Sequence, residues 1–302
     1  MRAAGPREKE ATVKIAVSSY CYRNLLGKDG FTLFDVVRHA RQAGFDEIEF
    51  SEFAPPEGDT LTDYAEELRD ACDAAGLPVV NYAVGADFID GSGGDPAKEA
   101  ARVKGHVDVA KALGARLFRH DICHGRKCPA ACHTYRDVIK KAAAHVRDVA
   151  GYAEAMGIRT MSENHGYLMQ DSHRMEELVA AVGHPNFGLL VDFANFMCAD
   201  EASLAALPTV MPYAFHVHAK DFLWKDGAQE RPDESWLLTR QGHYLRGTVL
   251  GHGDVPVGQC LRFIRDAGYG GAVTLEFEGL ESPICAIELG LAHLRRHLGP
   301  RA

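Results

Sequence analysis

Three carboxylates and one imidazole recur along this chain, each at the end of a short apolar run. Glu163 follows Ile-Arg-Thr-Met-Ser, Asp192 follows Phe-Gly-Leu-Leu-Val, His218 follows Tyr-Ala-Phe-His-Val, and Glu276 follows Ala-Val-Thr-Leu. Brought together, they make a hard, oxygen-rich site for one divalent cation. Such a site suits Mn²⁺ first, with Mg²⁺ or Co²⁺ as alternatives, better than a thiolate-seeking ion. An unpaired charge at the end of a buried run is costly, which favours a metal over four unrelated rim charges.

Strand ends that converge on one point require a barrel of parallel strands, whose functional groups sit at its C-terminal face. The chain supplies the parts. Apolar runs predict strands over 13–18, 47–51, 79–84, 116–120, 158–163, 187–192, 214–219 and 273–277. Amphipathic helical stretches are predicted over 32–43, 61–75, 95–113, 135–156, 172–182, 255–267 and 282–297, most of them closed by glycine. Near-continuous apolar strands alternating with helices imply a parallel sheet covered on both faces. Eight such units fit a (β/α)₈ TIM barrel over 13–302, preceded by a disordered tail over 1–12. No Gly-x-Gly-x-x-Gly follows the first strand, against a dinucleotide-binding sheet. The stretch 222–253 is far longer than an ordinary connection and reads as a lid or substrate wall.

Composition narrows the class of partner. The 302 residues carry a formal net charge of −9, with 46% hydrophobic and 25% charged residues. That balance disfavours nucleic acid, which needs clustered Lys and Arg. No apolar run reaches the length of a membrane span, and the N-terminus lacks a secretory apolar core, so a cytoplasmic location is expected. Among the eight cysteines, Cys123, Cys128 and Cys132 cluster beside His124 and His133. Their spacing lacks a Cys-x-x-Cys pair, which leaves a zinc site or a group of loop thiols open.

The motifs Ser162-Glu163-Asn164-His165-Gly166, Val191-Asp192-Phe193-Ala194-Asn195, His216-Val217-His218-Ala219-Lys220-Asp221, Gly251-His252-Gly253-Asp254 and Leu275-Glu276-Phe277-Glu278-Gly279 resemble the sugar phosphate isomerase/epimerase superfamily of xylose isomerase-like barrels. The resemblance spans nearly the whole chain. It implies that Glu163, Asp192, His218 and Glu276 are metal ligands, with His216 a deeper core histidine, and that the substrate is a small sugar. Asn195 stands where ketose epimerases commonly have histidine. With His165, the Arg119-His120-Asp121 segment and the long insertion, the chain is also similar to the metal-binding barrel subunit of C-glycoside deglycosidases, lyases that work with a small second subunit.

Two chemistries follow. In an isomerase or epimerase, Glu163 and Glu276 exchange a proton on the carbon beside a keto-sugar carbonyl. In a β-eliminating lyase acting on 3-oxo-glycosides, His165 is the natural base. His120, Lys220, Asn195, Trp236 and Arg246 are candidate substrate contacts, while Glu49 and Glu52 read as solvated rim charges. A catalytically silent sugar-binding barrel is disfavoured by the intact ligand set. A homo-oligomer and a small second subunit are both compatible with the sequence.

Overall fold

The computed structural model describes residues 13–299, so the predicted tail over 1–12 lies outside the described residues. Eight parallel strands close into a barrel. They are β1 (Lys14–Ser18), β2 (Glu47–Ser51), β3 (Val79–Val84), β4 (Leu117–His120), β5 (Arg159–Glu163), β6 (Phe187–Asp192), β7 (Ala214–Ala219) and β11 (Ala272–Leu275). Around the ring the order is β1-β11-β7-β6-β5-β4-β3-β2. The outer layer comprises α1 (Leu33–Ala43), α2 (Leu61–Ala75), α3 (Pro96–Ala112), α4 (Tyr135–Ala155), α5 (Ser172–Val182), α6 (Ser203–Val210), α7 (Val257–Asp266) and α8 (Pro283–Leu298). No helix among the described residues is long and apolar enough to cross a membrane.

Local chemistry starts and stops these helices. Thr32 with Asp35, and Thr134 with Asp137, form reciprocal capping boxes, which satisfy amides that the first turn leaves free. Gly44, Gly76 and Gly183 end α1, α2 and α5 in the left-handed conformation, where a Cβ would be strained. Strand alternation then sorts the side chains. Outward residues such as Val17, Phe118 and Val217 join the main apolar core under the helices. Inward, Ala16 and Ala272, with Leu117 against them, form a small apolar cluster. Above it the inward positions turn polar and carry the site.

The stretch 222–253 is not an irregular loop. Strands β8 (Asp221–Lys225), β9 (Leu237–Leu238) and β10 (Tyr244–Thr248) form an antiparallel sheet in the order β8-β10-β9. Its root is Asp221, whose buried carboxylate accepts the amides of Phe222 (2.9 Å), Gly251 (2.8 Å), Gly253 (2.9 Å) and Val255 (3.2 Å). A Cβ on Gly253 would lie 2.3 Å from Asp221 Oδ1, so glycine is required for this close approach.

Candidate metal centre and substrate cavity

The strand ends deliver the four predicted ligands to one place. Glu163, Asp192, His218 and Glu276 each present one ligand atom, and these atoms all lie within 4.8 Å of one another. They adjoin a cavity of about 270 Å³ whose lining includes Glu49, Arg119, Glu163, His165, Lys220 and Glu276. Glu276 lies just past the end of β11 rather than inside it.

Each ligand is held by neighbours. Asn195 donates its amide to Glu163 Oε1 at 2.9 Å, and Arg119 Nη2 is 2.7 Å from Glu163 Oε2. Asp192 Oδ1 accepts the backbone amides of Ala194 (2.8 Å) and Asn195 (3.1 Å). Asn164 clasps the Asp192 backbone, accepting its amide at 2.9 Å and donating to its carbonyl at 2.8 Å. His218 is oriented through its far nitrogen, with Nε2 2.9 Å from Glu49 Oε2. Donation to that carboxylate fixes the tautomer that turns Nδ1 inward. Nδ1 lies 3.7 Å from Glu276 Oε2 and 4.0 Å from Glu163 Oε1.

Lys220 contributes the local positive charge. Its Nζ lies 2.8 Å from Glu276 Oε2, 2.7 Å from Glu278 Oε1 and 3.1 Å from Asp192 Oδ2. Burial opposes the charge on Lys220, but Asp192, Glu276 and Glu278 outweigh it and hold the ammonium well above its ordinary range. Burial likewise opposes ionisation of Glu276, yet Lys220 and His218 keep its carboxyl well below the usual range. Asp192 goes the other way. Burial pushes its carboxyl up to about 6, Lys220 opposes the rise, and Glu163 and Glu276 add to it.

The donor set fits a hard divalent cation. His218 Nδ1 is buried and makes no hydrogen bond within the protein, and Asp192 Oδ2 has only its ion pair with Lys220. An orphaned buried nitrogen is costly unless another partner takes it. Three carboxylates and one imidazole are the donors such a partner requires. By contrast, the groups of metal-competent side chains among the described residues include none of Cys123, Cys128 and Cys132. All three thiols are free.

Other expected contacts fall in different places. His165 lines the cavity, and its Nδ1 is 3.1 Å from Asp121 Oδ1. Lys220 also lines it, but as the partner of three carboxylates. Asn195 acts on Glu163 rather than on the 270 Å³ cavity. His120 does not reach that cavity. Strand alternation turns Arg119 and Asp121 inward and His120 outward, where it is fully buried among Phe88, Phe118 and Phe187. Trp236, just before β9, meets Arg246 of β10, with the guanidinium 5.5 Å from the indole centroid. Neither lines the cavity.

Glu52 is the exposed rim charge it was expected to be, but Glu49 is not. It is buried, accepts from Asn81 Nδ2 and pairs with His218, both at 2.9 Å, and lies 3.3 Å from His216 Nε2. His216 is the deeper histidine, fully buried and 2.7 Å from Thr274 Oγ1. Asp121 was also missed as a site residue. Arg119 Nη2 is 2.7 Å from its Oδ1, and His124 Nε2 is 3.5 Å from its Oδ2. The one available signal was its spacing, two residues beyond the inward Arg119.

A closed parallel barrel with a hard-cation cluster at its C-terminal mouth defines a class of metal-competent TIM barrels. Residues 37–297 match the family model described as xylose isomerase-like TIM barrel, and the chain belongs to that family. No curated protein sequence matches it significantly. Among solved structures it is similar to a xylose isomerase domain protein from Planctomyces limnophilus, at 20% identity over 96% of this chain and 99% of that one, with a TM-score of 0.69. An L-ribulose 3-epimerase superposes with a TM-score of 0.73 at 16% identity, covering 95% and 94%. A 3-keto-D-glucoside 4-epimerase from E. coli gives 0.69 at 17% identity, covering 94% and 99%. At these identities the likeness is one of fold.

Proposed function

We propose that this protein is a divalent-metal-dependent isomerase or epimerase that moves a proton on the carbon beside the carbonyl of a keto-sugar. The observation carrying this reading is the presence of two carboxylates, Glu163 and Glu276, in one cavity and in one four-ligand cluster. Two of the structural neighbours are named for epimerisation next to a ketone, at C3 of ribulose and at C4 of a 3-keto-glucoside, and so support it.

A C–H beside a carbonyl loses its proton only if the resulting negative charge is stabilised and a base is ready. A cation held by Glu163, Asp192, His218 and Glu276 supplies Lewis-acid stabilisation at the carbonyl oxygen when bound. Glu276, which Lys220 and His218 keep ionised despite burial, serves as one proton-transfer group. Glu163, steadied by Asn195 and Arg119, serves as the second proton-transfer group. Lys220, beside Glu276 and Glu278, orients a substrate hydroxyl or carbonyl.

A second reading rests on His165. This imidazole lines the same cavity, and Asp121 raises its basicity against the opposing effect of burial. It therefore suits a base for β-elimination from a 3-oxo-glycoside, with a small second subunit completing the enzyme. The test is to incubate Mn²⁺-loaded protein with a panel of free ketoses and 3-oxo-glycosides in D₂O. Deuterium entering beside the carbonyl with a sugar product supports the first reading. Release of the glycosidic group supports the second. No reaction on any substrate, alone or with added subunit, overturns both.

A further inference from the structure

A cavity of about 490 Å³ opens at the end of the barrel opposite the ligand cluster. Its lining comes from the start of β5, the start of β7 and the turn over 268–271 that leads into β11. The same three strands deliver Glu163, His218 and Glu276 to the other end. Its volume is within the range of pockets that enclose small organic ligands.

The walls are apolar and the charge is single. Pro208, Met211, Phe215 and Phe263 line the cavity, and Arg159 is the one charged residue in the lining. The Tyr269 hydroxyl, also there, already donates to the Ala272 carbonyl at 2.8 Å. Arg159 is different. Its guanidinium lies 3.3 Å from the centroid of the Phe215 ring and makes no hydrogen bond or ion pair among the described residues. Partial burial lowers it below its ordinary value, and no carboxylate offsets the shift. In a chain of net charge −9, acidic partners are plentiful, yet none stands here.

The arrangement is pre-organised by a glycine. A Cβ on Gly188 of β6 would lie 2.6 Å from Phe215 Cε1, so the bare backbone is what lets this ring lie where Arg159 can stack on it. A guanidinium stacked through its face keeps its in-plane N–H groups free, and two of them match one carboxylate. A bare inorganic anion would use that fork but leave the apolar walls wet.

We propose that this cavity binds an apolar monocarboxylate, with the carboxylate on the Arg159 guanidinium and the hydrocarbon body against Met211 and Phe263. The site is separate from the reaction at the barrel mouth and stands or falls without it.

The test titrates hexanoate, its neutral isostere hexanamide, and acetate calorimetrically into Mn²⁺-loaded protein. Hexanoate is expected to bind at least about tenfold tighter than hexanamide, the contribution of a charge-assisted pair. It should also bind at least about tenfold tighter than acetate, which lacks the apolar body. Arg159→Gln, at an exposed position, brings the first ratio toward one. Met211→Ser brings down the second. Lys140→Gln, which removes an exposed charge from α4, leaves both ratios as they were. Absence of hexanoate binding, equal affinity for hexanoate and hexanamide, or no gain over acetate overturns the site. So does a hexanoate preference that survives Arg159→Gln, which would put the carboxylate on the metal at the barrel mouth instead.

Discussion

Glu49 and His218 are 169 residues apart, yet the Glu49 carboxylate meets His218 Nε2 at 2.9 Å at the foot of the ligand cluster. This contact fixes which imidazole nitrogen faces Glu163, Asp192 and Glu276. Glu49→Gln keeps the shape but weakens the acceptor, and metal affinity should fall roughly 10- to 100-fold. Competition with a fluorescent chelator measures the loss. Wild-type affinity in the variant would reduce Glu49 to a packing residue.

One equivalent of Mn²⁺ per chain is expected from elemental analysis. Because the ion binds only the folded chain, adding it should raise the melting temperature, and chelation should reverse the gain. Exchange activity should vanish with the metal. A metal-free preparation with full activity would be decisive against the proposal.

Glu276→Gln separates holding a cation from moving a proton. The amide retains an oxygen donor but is no base, so turnover should drop by ~10²-fold or more while metal content falls modestly. Parallel loss of both would leave Glu276 a ligand only.

His165→Ala distinguishes the two reactions. If Glu163 and Glu276 handle both protons, the variant loses roughly tenfold through poorer orientation of substrate. If His165 is the base, the loss is ~10²–10⁴-fold with metal retained. Steady-state kinetics beside metal analysis reads the difference.

Glu99 gives the fold an acid-sensitive clasp outside the cluster. It accepts from Arg102 Nη2 (2.7 Å), Ser92 Oγ (2.6 Å) and the Asp87 amide (3.0 Å). Burial alone would raise its carboxyl, but these partners hold it at about 2 against an ordinary 4.5. A depressed folded value means the stabilisation is present above about 4.5 and lost as pH falls toward 2. Glu99→Gln should cost about 1–3 kcal/mol at pH 7 and flatten stability between those values. Urea unfolding at pH 7, 4.5 and 3 checks this, and parallel wild-type and variant curves would refute it.

The barrel and the meeting of Glu163, Asp192, His218 and Glu276 at one place are legible in the sequence for physical reasons. Apolar runs must be buried, and a charge at the end of each must find a partner. What escaped notice depends on contacts the local pattern does not carry. Glu49 resembles a rim charge until β7 brings His216 and His218 against it. At four residues, β4 is too short to fix its own parity, so His120 was preferred to the inward Arg119 and Asp121. Helix α6 went unseen because its eight residues contain Pro208 and lack a side-chain cap. The antiparallel sheet is hard to see in the sequence because β9 spans only two residues, and the expected cavity contacts Trp236 and Arg246 instead meet each other at that sheet.

Asp221 collects the chain as it leaves the barrel and again as it returns. The cost of closing a loop between fixed ends grows only logarithmically with its length, so residues between such moorings can be exchanged or lengthened at little expense to the barrel. The insertion is therefore a separable module. Descendants of this chain can rewrite it while inheriting the cluster at the barrel mouth unchanged.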